Sequence, residues 1–368
     1  MRANEKDIAH LKELYEGRTL IYGDLHNHGA TGGTSDGKRP LSHWLGALEA
    51  LNMDFVSILD HKQVRHMYLP EWDDTVFIGG SEPGTMITDI DAKNKGMHYN
   101  MIFSTAEPLM QLLSEFPEFK FEGGREGHFI YPSFTKARFT ELVKAVLLKG
   151  GFFVHPHPKQ VMDSQNPEDY WFSDETGIEV FYGDMRNIHT EANYKLWCDL
   201  LAMGKRIFVC AGEDGHLCAR DTALTSIFTE DRHSATLISH LRRGDFVCGS
   251  VAMRMCVGET KMGGKCSFNG ERLVLAIGDD EVYDRNSQRP VSKGSVGGFH
   301  KSIANPEHKY RVEILDDKGR IFSEEIECGE FAFFAIDTSS DAAFYRAEVY
   351  DANTNLRIAI GNPIWNDK

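Results

Sequence analysis

The sequence predicts an α/β protein: a closed parallel barrel, followed by an antiparallel β-sandwich. Three observations lead there. Over residues 20–250, short apolar runs alternate with stretches whose apolar residues recur at helical spacing. Nearly every one of those runs ends in His, Asp or Glu, which suits a barrel with all its strand tips at one mouth better than an open sheet with a single switch point. Beyond about residue 250 the helical spacing disappears, and β-type runs follow one another directly.

In order, residues 5–16 carry Ile8, Leu11, Leu14 and Tyr15 at helical spacing among charges, a short amphipathic helix before the first strand. Leu20, Ile21 and Tyr22 lead into the first strand tip. Leu41 to Leu51 places Leu41, Trp44, Leu45, Leu48 and Leu51 on one helical face, and Phe55–Leu59 is the next strand. Strand, loop, helix and strand in that order make a βαβ unit with parallel pairing. Strands are predicted at 76–80 and 98–103, with 104–135 an irregular excursion over the mouth. A helix over 140–149 stops at Gly150-Gly151, strands follow at 152–157 and 178–182, and a helix over 191–203 stops at Gly204. The last strand of the barrel is 207–211, and a helix over 234–243 ends at Gly244. The later β-runs are 273–277, 310–315, 331–336, 343–350 and 357–360, separated by turn signals such as Asp316-Asp317-Lys318-Gly319. The domains are therefore read as a helical extension over 1–19, a barrel over 20–250 and a sandwich over 251–368, with no flexible linker between the last two.

At 368 residues the chain has ample core for two domains. Its 41% hydrophobic and 26% charged residues are those of a soluble globular protein. A net charge of −15, with no Lys/Arg run, argues against nucleic acid as a partner. The first eighteen residues lack an apolar core of signal-peptide length and no stretch reaches membrane-spanning length, so no membrane partner is expected. The seven cysteines are odd in number and show no CxxC spacing, which points to reduced thiols in a cytoplasmic protein.

The informative stretch is Asp24-Leu25-His26-Asn27-His28. On a strand, residues i and i+2 share a face, so His26 and His28 can approach one metal together. A single His-x-His is a moderate signal, since histidines often cap strands with ordinary hydrogen bonds. Here the pattern recurs in Asp60-His61, Gly80-Ser81-Glu82, His155-Pro156-His157 and Gly212-Glu213-Asp214-Gly215-His216, each after an apolar run.

The order and identity of these motifs, with Ser35-Asp36-Gly37, His98 and Pro156-His157-Pro158, resemble the PHP (polymerase and histidinol phosphatase) superfamily of metal-dependent phosphoesterases. The resemblance covers about residues 20–250. It extends more weakly to one branch with a C-terminal β-domain, through Arg242-Arg243-Gly244 and the closing Gly361 to Trp365. It implies a distorted (β/α)7 TIM-like barrel and nine ligands for two to three divalent transition metals, Zn, Mn or Fe. By resemblance His26, His28 and Asp214 hold the first metal, Glu82 bridges it to a second held by His98 and His157, and Asp36, His61 and His216 hold a third. Glu82, Asp214 and His216 are the implied catalytic set, serving a hydroxide that bridges two metals. Of the two histidines in the fifth motif, His157 fits the family spacing. His155 points to the same side by strand alternation and is read as a substrate contact or a support for a ligand.

Other candidates carry weaker signals. Asp24 and Asp60 lie beside ligands, where orienting an imidazole and capping a strand fit equally well. Arg39, Lys62, Arg65 and Arg220 follow ligand loops and could meet a phosphate, as could Lys38, Arg186 and His189, although solvated surface charge explains several of them. His43 and His66 are given no function, and Cys210 is read as a small buried hydrophobe. The resulting expectation is a hydrolase of a small-molecule phosphate monoester or diester, with homo-oligomers left open. Two alternatives stand beside it: hydrolysis of carbamate or carboxylic esters at the same metals, and a metal-stabilised binding module.

Overall fold

The computed structural model describes residues 1–119, 132–183, 186–221, 224–278, 295–296, 299–300, 305 and 307–368. Helix α1 (Glu5–Leu14) starts on a capping box in which the Asn4 and Asp7 side chains each accept the other's backbone N–H. It is followed by β1 (Thr19–Asp24), α2 (Leu41–Leu51) and β2 (Phe55–Ile58). Next come β3 (Phe77–Ser81), β4 (Gly84–Ile87), β5 (Gly96–His98), β6 (Asn100–Phe103), α3 (Glu107–Glu115), β7 (Ser133–Phe134) and α4 (Lys136–Leu148). The series continues with β8 (Phe152–His155), the single turn α5 (Pro158–Val161), β9 (Thr176–Tyr182), α6 (Thr190–Ala202), β10 (Ile207–Gly212), β11 (Thr225–Thr229), α7 (Ser234–Arg243) and β12 (Val247–Gly249). Helix α7 stops at Gly244, whose φ of +71° only glycine adopts without strain.

One large sheet runs in the order β10-β9-β8-β6-β3-β2-β1-β11-β12 and continues into the C-terminal region. Strands β1, β2 and β3 are parallel, as are β8, β9 and β10. The all-parallel expectation is corrected at β6, which pairs antiparallel with both β3 and β8. No crossover helix lies between β3 and β6. The chain returns through the β4–β5 hairpin, and a strand that returns without a crossover lies antiparallel. Strand β11, not expected from the sequence, lies antiparallel along β1. Beyond the ends of their own ladders the chain after β1 and the chain after β10 come together, where Asn27 bridges Gly215. The stretch expected to be irregular contains α3 and β7, and residues 120–131 of it lie outside the described residues.

The core beneath the site packs α4 and α6 on the sheet through Phe139, Leu142, Phe152, Trp197, Leu200 and Phe208, all fully buried. In the C-terminal sheet region, β13 (Met253–Val257), β14 (Thr260–Lys261), β15 (Lys265–Cys266), β16 (Arg272–Ile277), β17 (Ser295–Val296) and β18 (Phe299–His300) precede β19 (Lys309–Asp316) and β20 (Gly319–Glu327). Strands β21 (Ala332–Asp337), β22 (Phe344–Asp351), β23 (Leu356–Gly361) and β24 (Ile364–Asn366) complete the chain. Strand β12 pairs with β23, so the large sheet carries on through β23-β22-β19-β20, while β14-β13-β16-β21 forms a second sheet. The extreme N-terminus joins that second sheet: the Ala3 amide donates to the Phe333 carbonyl and the Ala335 amide to the Met1 carbonyl.

Candidate metal centre

The site forms where several strands run past their ladders at one end of the large sheet. After β1 the chain stays extended through His28, pinned on one side by the Gly215 loop: the Gly215 amide donates to the His26 carbonyl and the His28 amide to the Gly215 carbonyl. On its other side the Leu59 amide donates to the Asn27 carbonyl and the Glu82 amide to the Leu59 carbonyl. Thus backbone bonds alone bring His26, His28, His61, Glu82, Asp214 and His216 to one rim. The loop carrying Asp36 is drawn in by the Lys38 amide on the His216 carbonyl at 2.7 Å and by the Thr34 hydroxyl on the His61 carbonyl. Two of the rim residues have left-handed backbones, His157 at φ +29° and Asp214 at φ +57°, and so does Lys62 at +53°. Strain of this kind concentrates at functional sites, because the surrounding structure must hold it.

All nine candidate donors converge, in three groups whose ligand atoms lie within 4.8 Å of one another: His26, His28, Glu82 and Asp214; Glu82, His98 and His157; and His28, Asp36, His61 and His216. His28 belongs to two of the groups. Glu82 is fully buried at the centre. Its Oε2 lies 3.2 Å from His26 Nε2 and 3.1 Å from His28 Nε2, and its Oε1 lies 3.0 Å from His98 Nδ1 and 3.1 Å from His157 Nε2. Asp214 Oδ1 is 3.1 Å from His28 Nε2, and Asp36 Oδ1 is 3.0 Å from His216 Nε2 and 3.4 Å from His61 Nε2.

Electrostatics within the cluster are mutual. Burial pushes the Glu82 carboxyl up, but His26 and His98 outweigh it and hold it well below the usual carboxylate range. Burial lowers the His28 imidazole, yet Asp214 and Glu82 raise it to about 9. His61 is brought down to about 4, by burial first, with nearby His28 adding to it. A cluster of imidazoles around carboxylates needs positive charge between its members, supplied either by protons or by metal. The donor geometry favours metal. His26 Nε2 and Glu82 Oε2 are buried and face each other, yet neither makes a well-formed hydrogen bond. A buried polar atom left in that state is costly unless a cation sits between the partners. Imidazole nitrogen with carboxylate oxygen is the donor set of Zn, Mn and Fe sites.

Two residues supporting the cluster escaped the sequence reading. Glu179, in the middle of β9 and 1% exposed, accepts from His26 Nδ1 at 3.1 Å through Oε1 and from the His157 amide at 2.8 Å through Oε2. Its signal was there to be read: a lone carboxylate inside the apolar run Ile178 to Phe181. Gly212 faces it across the sheet, and a Cβ there would lie 2.3 Å from Glu179 Oε1 and 2.5 Å from His26 Cβ. Tyr182, also missed, donates its hydroxyl to Asp214 Oδ2 at 3.2 Å and sets its ring edge-on against His157.

The remaining candidates separate. His155 is corrected: it is buried, stacks on Tyr170 and lies beside Phe172 instead of facing the cluster. The reason is the left-handed turn at His157, which breaks the strand alternation that would have put both histidines on one side. Burial brings its imidazole down to about 3. Lys62 and Arg65 line a cavity beside the cluster. Arg39 donates to the Leu217 carbonyl and Arg220 pairs with Glu213, which places both along the Asp214–His216 loop. Asp24 accepts the His26 and Glu213 amides, and Asp60 accepts the Gly29 amide and the Thr31 hydroxyl and faces His66, so both carboxylates hold backbone and loop.

No protein-family model and no curated protein matches the chain. Among solved structures, it is similar to a two-domain protein from Bacteroides vulgatus containing a predicted PHP-like metal-dependent phosphoesterase, at 14% identity over 95% of each chain with a TM-score of 0.41. It is also similar to the lesion-specific endonuclease Q of Pyrococcus furiosus, at 12% identity over 61% of this chain and 56% of that one, with a TM-score of 0.42. A third match, at 12% identity, 61% and 57% coverage and a TM-score of 0.39, is endonuclease Q in complex with a 27-mer duplex carrying an abasic lesion. The expectation that nucleic acid is excluded is therefore withdrawn, since one matched structure holds a DNA duplex. Net charge over a whole chain says little about the local surface at a cleft. Among the described residues, no helix is long and apolar enough to cross a membrane.

Proposed function

We propose that the chain is a metal-dependent hydrolase of the PHP type, acting as a phosphoesterase on a phosphate monoester or diester. One observation carries the reading: six imidazoles and three carboxylates, the buried Glu82 among them, gather in three groups, two of which share Glu82. In this reading His26, His28, Glu82 and Asp214 hold one metal, Glu82, His98 and His157 a second, and Asp36, His61 and His216 a third. Bound divalent ions supply Lewis acidity toward an ester oxygen and lower the pKa of water from about 16 toward about 7.

The chain's own residues do the rest. Glu82 offers one oxygen to each of two groups and so sets their spacing. Glu179 orients His26 through Nδ1, which leaves Nε2 directed at the cluster. Tyr182 holds Asp214 through Oδ2 and leaves Oδ1 toward the histidines. Lys62 and Arg65 stand beside the cluster as cations for a phosphate. We further read residues 20–250 as a distorted (β/α)7 TIM-like barrel, residues 251–368 as a β-sandwich, and 1–19 as a helical extension. The seven free thiols suit a reducing compartment.

The test is a panel of aryl phosphates, aryl phosphodiesters, an abasic-site duplex, and aryl carboxylic esters and carbamates. Protein reconstituted with Mn or Zn should hydrolyse a phosphate ester and lose that activity with chelator. Hydrolysis of neutral esters alone would reject the phosphoesterase reading.

A further inference from the structure

We propose that the cavity beside the metal centre receives a bulky apolar group, so that the substrate is an ester joining a phosphate head to an aryl or medium-chain alkyl portion. The head of this substrate rests on the phosphoesterase reading; the apolar portion rests on the cavity. That cavity encloses about 590 Å³, the size of a site for a drug-sized ligand. Its lining includes the apolar Met101, Leu109, Met110 and Leu113 together with Lys62, Arg65 and Glu118, whose carboxylate pairs with Arg138. It adjoins the cluster along the chain at two points, since Lys62 follows His61 and the lining residues Ser81 and Pro83 flank Glu82. The left-handed backbone of Lys62 turns the chain from the ligand position straight into the cavity wall.

Lys62 directly follows the candidate ligand His61, and Arg65 begins the short turn Arg65–Tyr68 after it; both line the cavity. The α3 wall is apolar and open: Met110 is 54% exposed and Leu113 43% exposed, although both belong to an amphipathic helix whose Leu109 and Leu112 are buried. Apolar side chains left open beside a polar centre mark a place for an apolar ligand group. Unbranched methionines at two of the four positions let the wall adapt to different shapes.

The test measures binding, not turnover. Methyl-, butyl- and hexylphosphonate are titrated calorimetrically into Mn-reconstituted full-length protein, alongside neutral methyl and hexyl carbamates. The same titrations are run on Leu113→Lys and Met110→Lys, exposed positions outside the ligand set. Each methylene buried should multiply affinity by up to about fourfold, so hexylphosphonate should bind at least tenfold more tightly than methylphosphonate. Both variants should lose that gain while binding methylphosphonate within twofold of the unsubstituted protein. Equal affinity for short and long chains, a chain-length gain the variants retain, or no binding in either series would overturn the proposal. A chain-length gain confined to the carbamates would uphold the apolar site and reject the phosphate head.

Discussion

Glu179→Gln tests how the cluster is held without removing a donor from it. The carboxylate is buried and serves two donors, His26 Nδ1 at 3.1 Å and the His157 amide at 2.8 Å, one belonging to each of two ligand groups. An ionised carboxylate only accepts, so His26 carries its proton on Nδ1 and presents a lone pair at Nε2. Glutamine keeps the volume but has one accepting oxygen. Its amide nitrogen must then face either the His26 ring donor or the His157 amide. One charge-assisted hydrogen bond is lost, and one buried donor is left facing another. A bond of that kind contributes about 1.5–3 kcal/mol. At about 1.4 kcal/mol per factor of ten, metal affinity should fall about 10- to 100-fold, the range seen when a partner of a ligating histidine is removed. The assay is competition for metal against a chromophoric chelator, with circular dichroism confirming that the fold is kept. A Glu179→Gln protein that is folded and binds metal within twofold of the unsubstituted chain would refute the reasoning.

The other expected outcomes follow from equally local contacts. Reconstituted protein should hold two to three metal equivalents by elemental analysis, and His26→Ala with His28→Ala should lose at least one. Gly212→Ala should lower both metal content and thermal stability, because its Cβ would overlap Glu179 and His26; overpacking of this kind costs about 1–3 kcal/mol. His155→Leu should leave kcat and metal content within about twofold of the unsubstituted values, since His155 packs on Tyr170 and Phe172; a loss of metal would restore it to the site. Glu348→Ala should destabilise by about 3–5 kcal/mol in denaturant unfolding, as it leaves the buried Arg346 without a carboxylate partner and takes from Arg357 one of its two, Glu191 remaining; both Nε atoms lie 2.9 Å from the Glu348 carboxylate. Burial alone would raise the Glu348 carboxyl, but the two guanidinium groups hold it below its ordinary value of 4.5. Its contribution should therefore be intact above about pH 4.5 and disappear as pH falls through the folded-state value, a dependence that Glu348→Ala should lack.

Much of this protein was legible in the chain, for reasons of period and chemistry. Apolar residues that must face a core recur at the spacing of the element that carries them, so α2 and α7 lie over the very residues that the periodicity marks. The later β-runs likewise match strands to within a residue or two. The nine donors could be named because histidines and carboxylates at the ends of apolar runs have few ordinary reasons to be there. What the sequence could not decide depends on contacts between segments far apart in it. The direction of β6 was set by a return through a hairpin, and local spacing is identical for parallel and antiparallel strands. The short run Thr225–Thr229 became a strand because the outer edge of β1 was there to pair with it. His155 and His157 sit two residues apart, yet one left-handed residue sends one into the core and the other into the cluster. Glu179 is a single charged residue in an apolar strand until folding places His26, 153 positions away, against its Oε1 and the His157 amide against its Oε2. Sequence determines which groups are available and which face of an element they occupy. Only the fold sets which of them meet, because a hydrogen bond or a metal ligand is a matter of a few ångströms between groups the chain holds far apart.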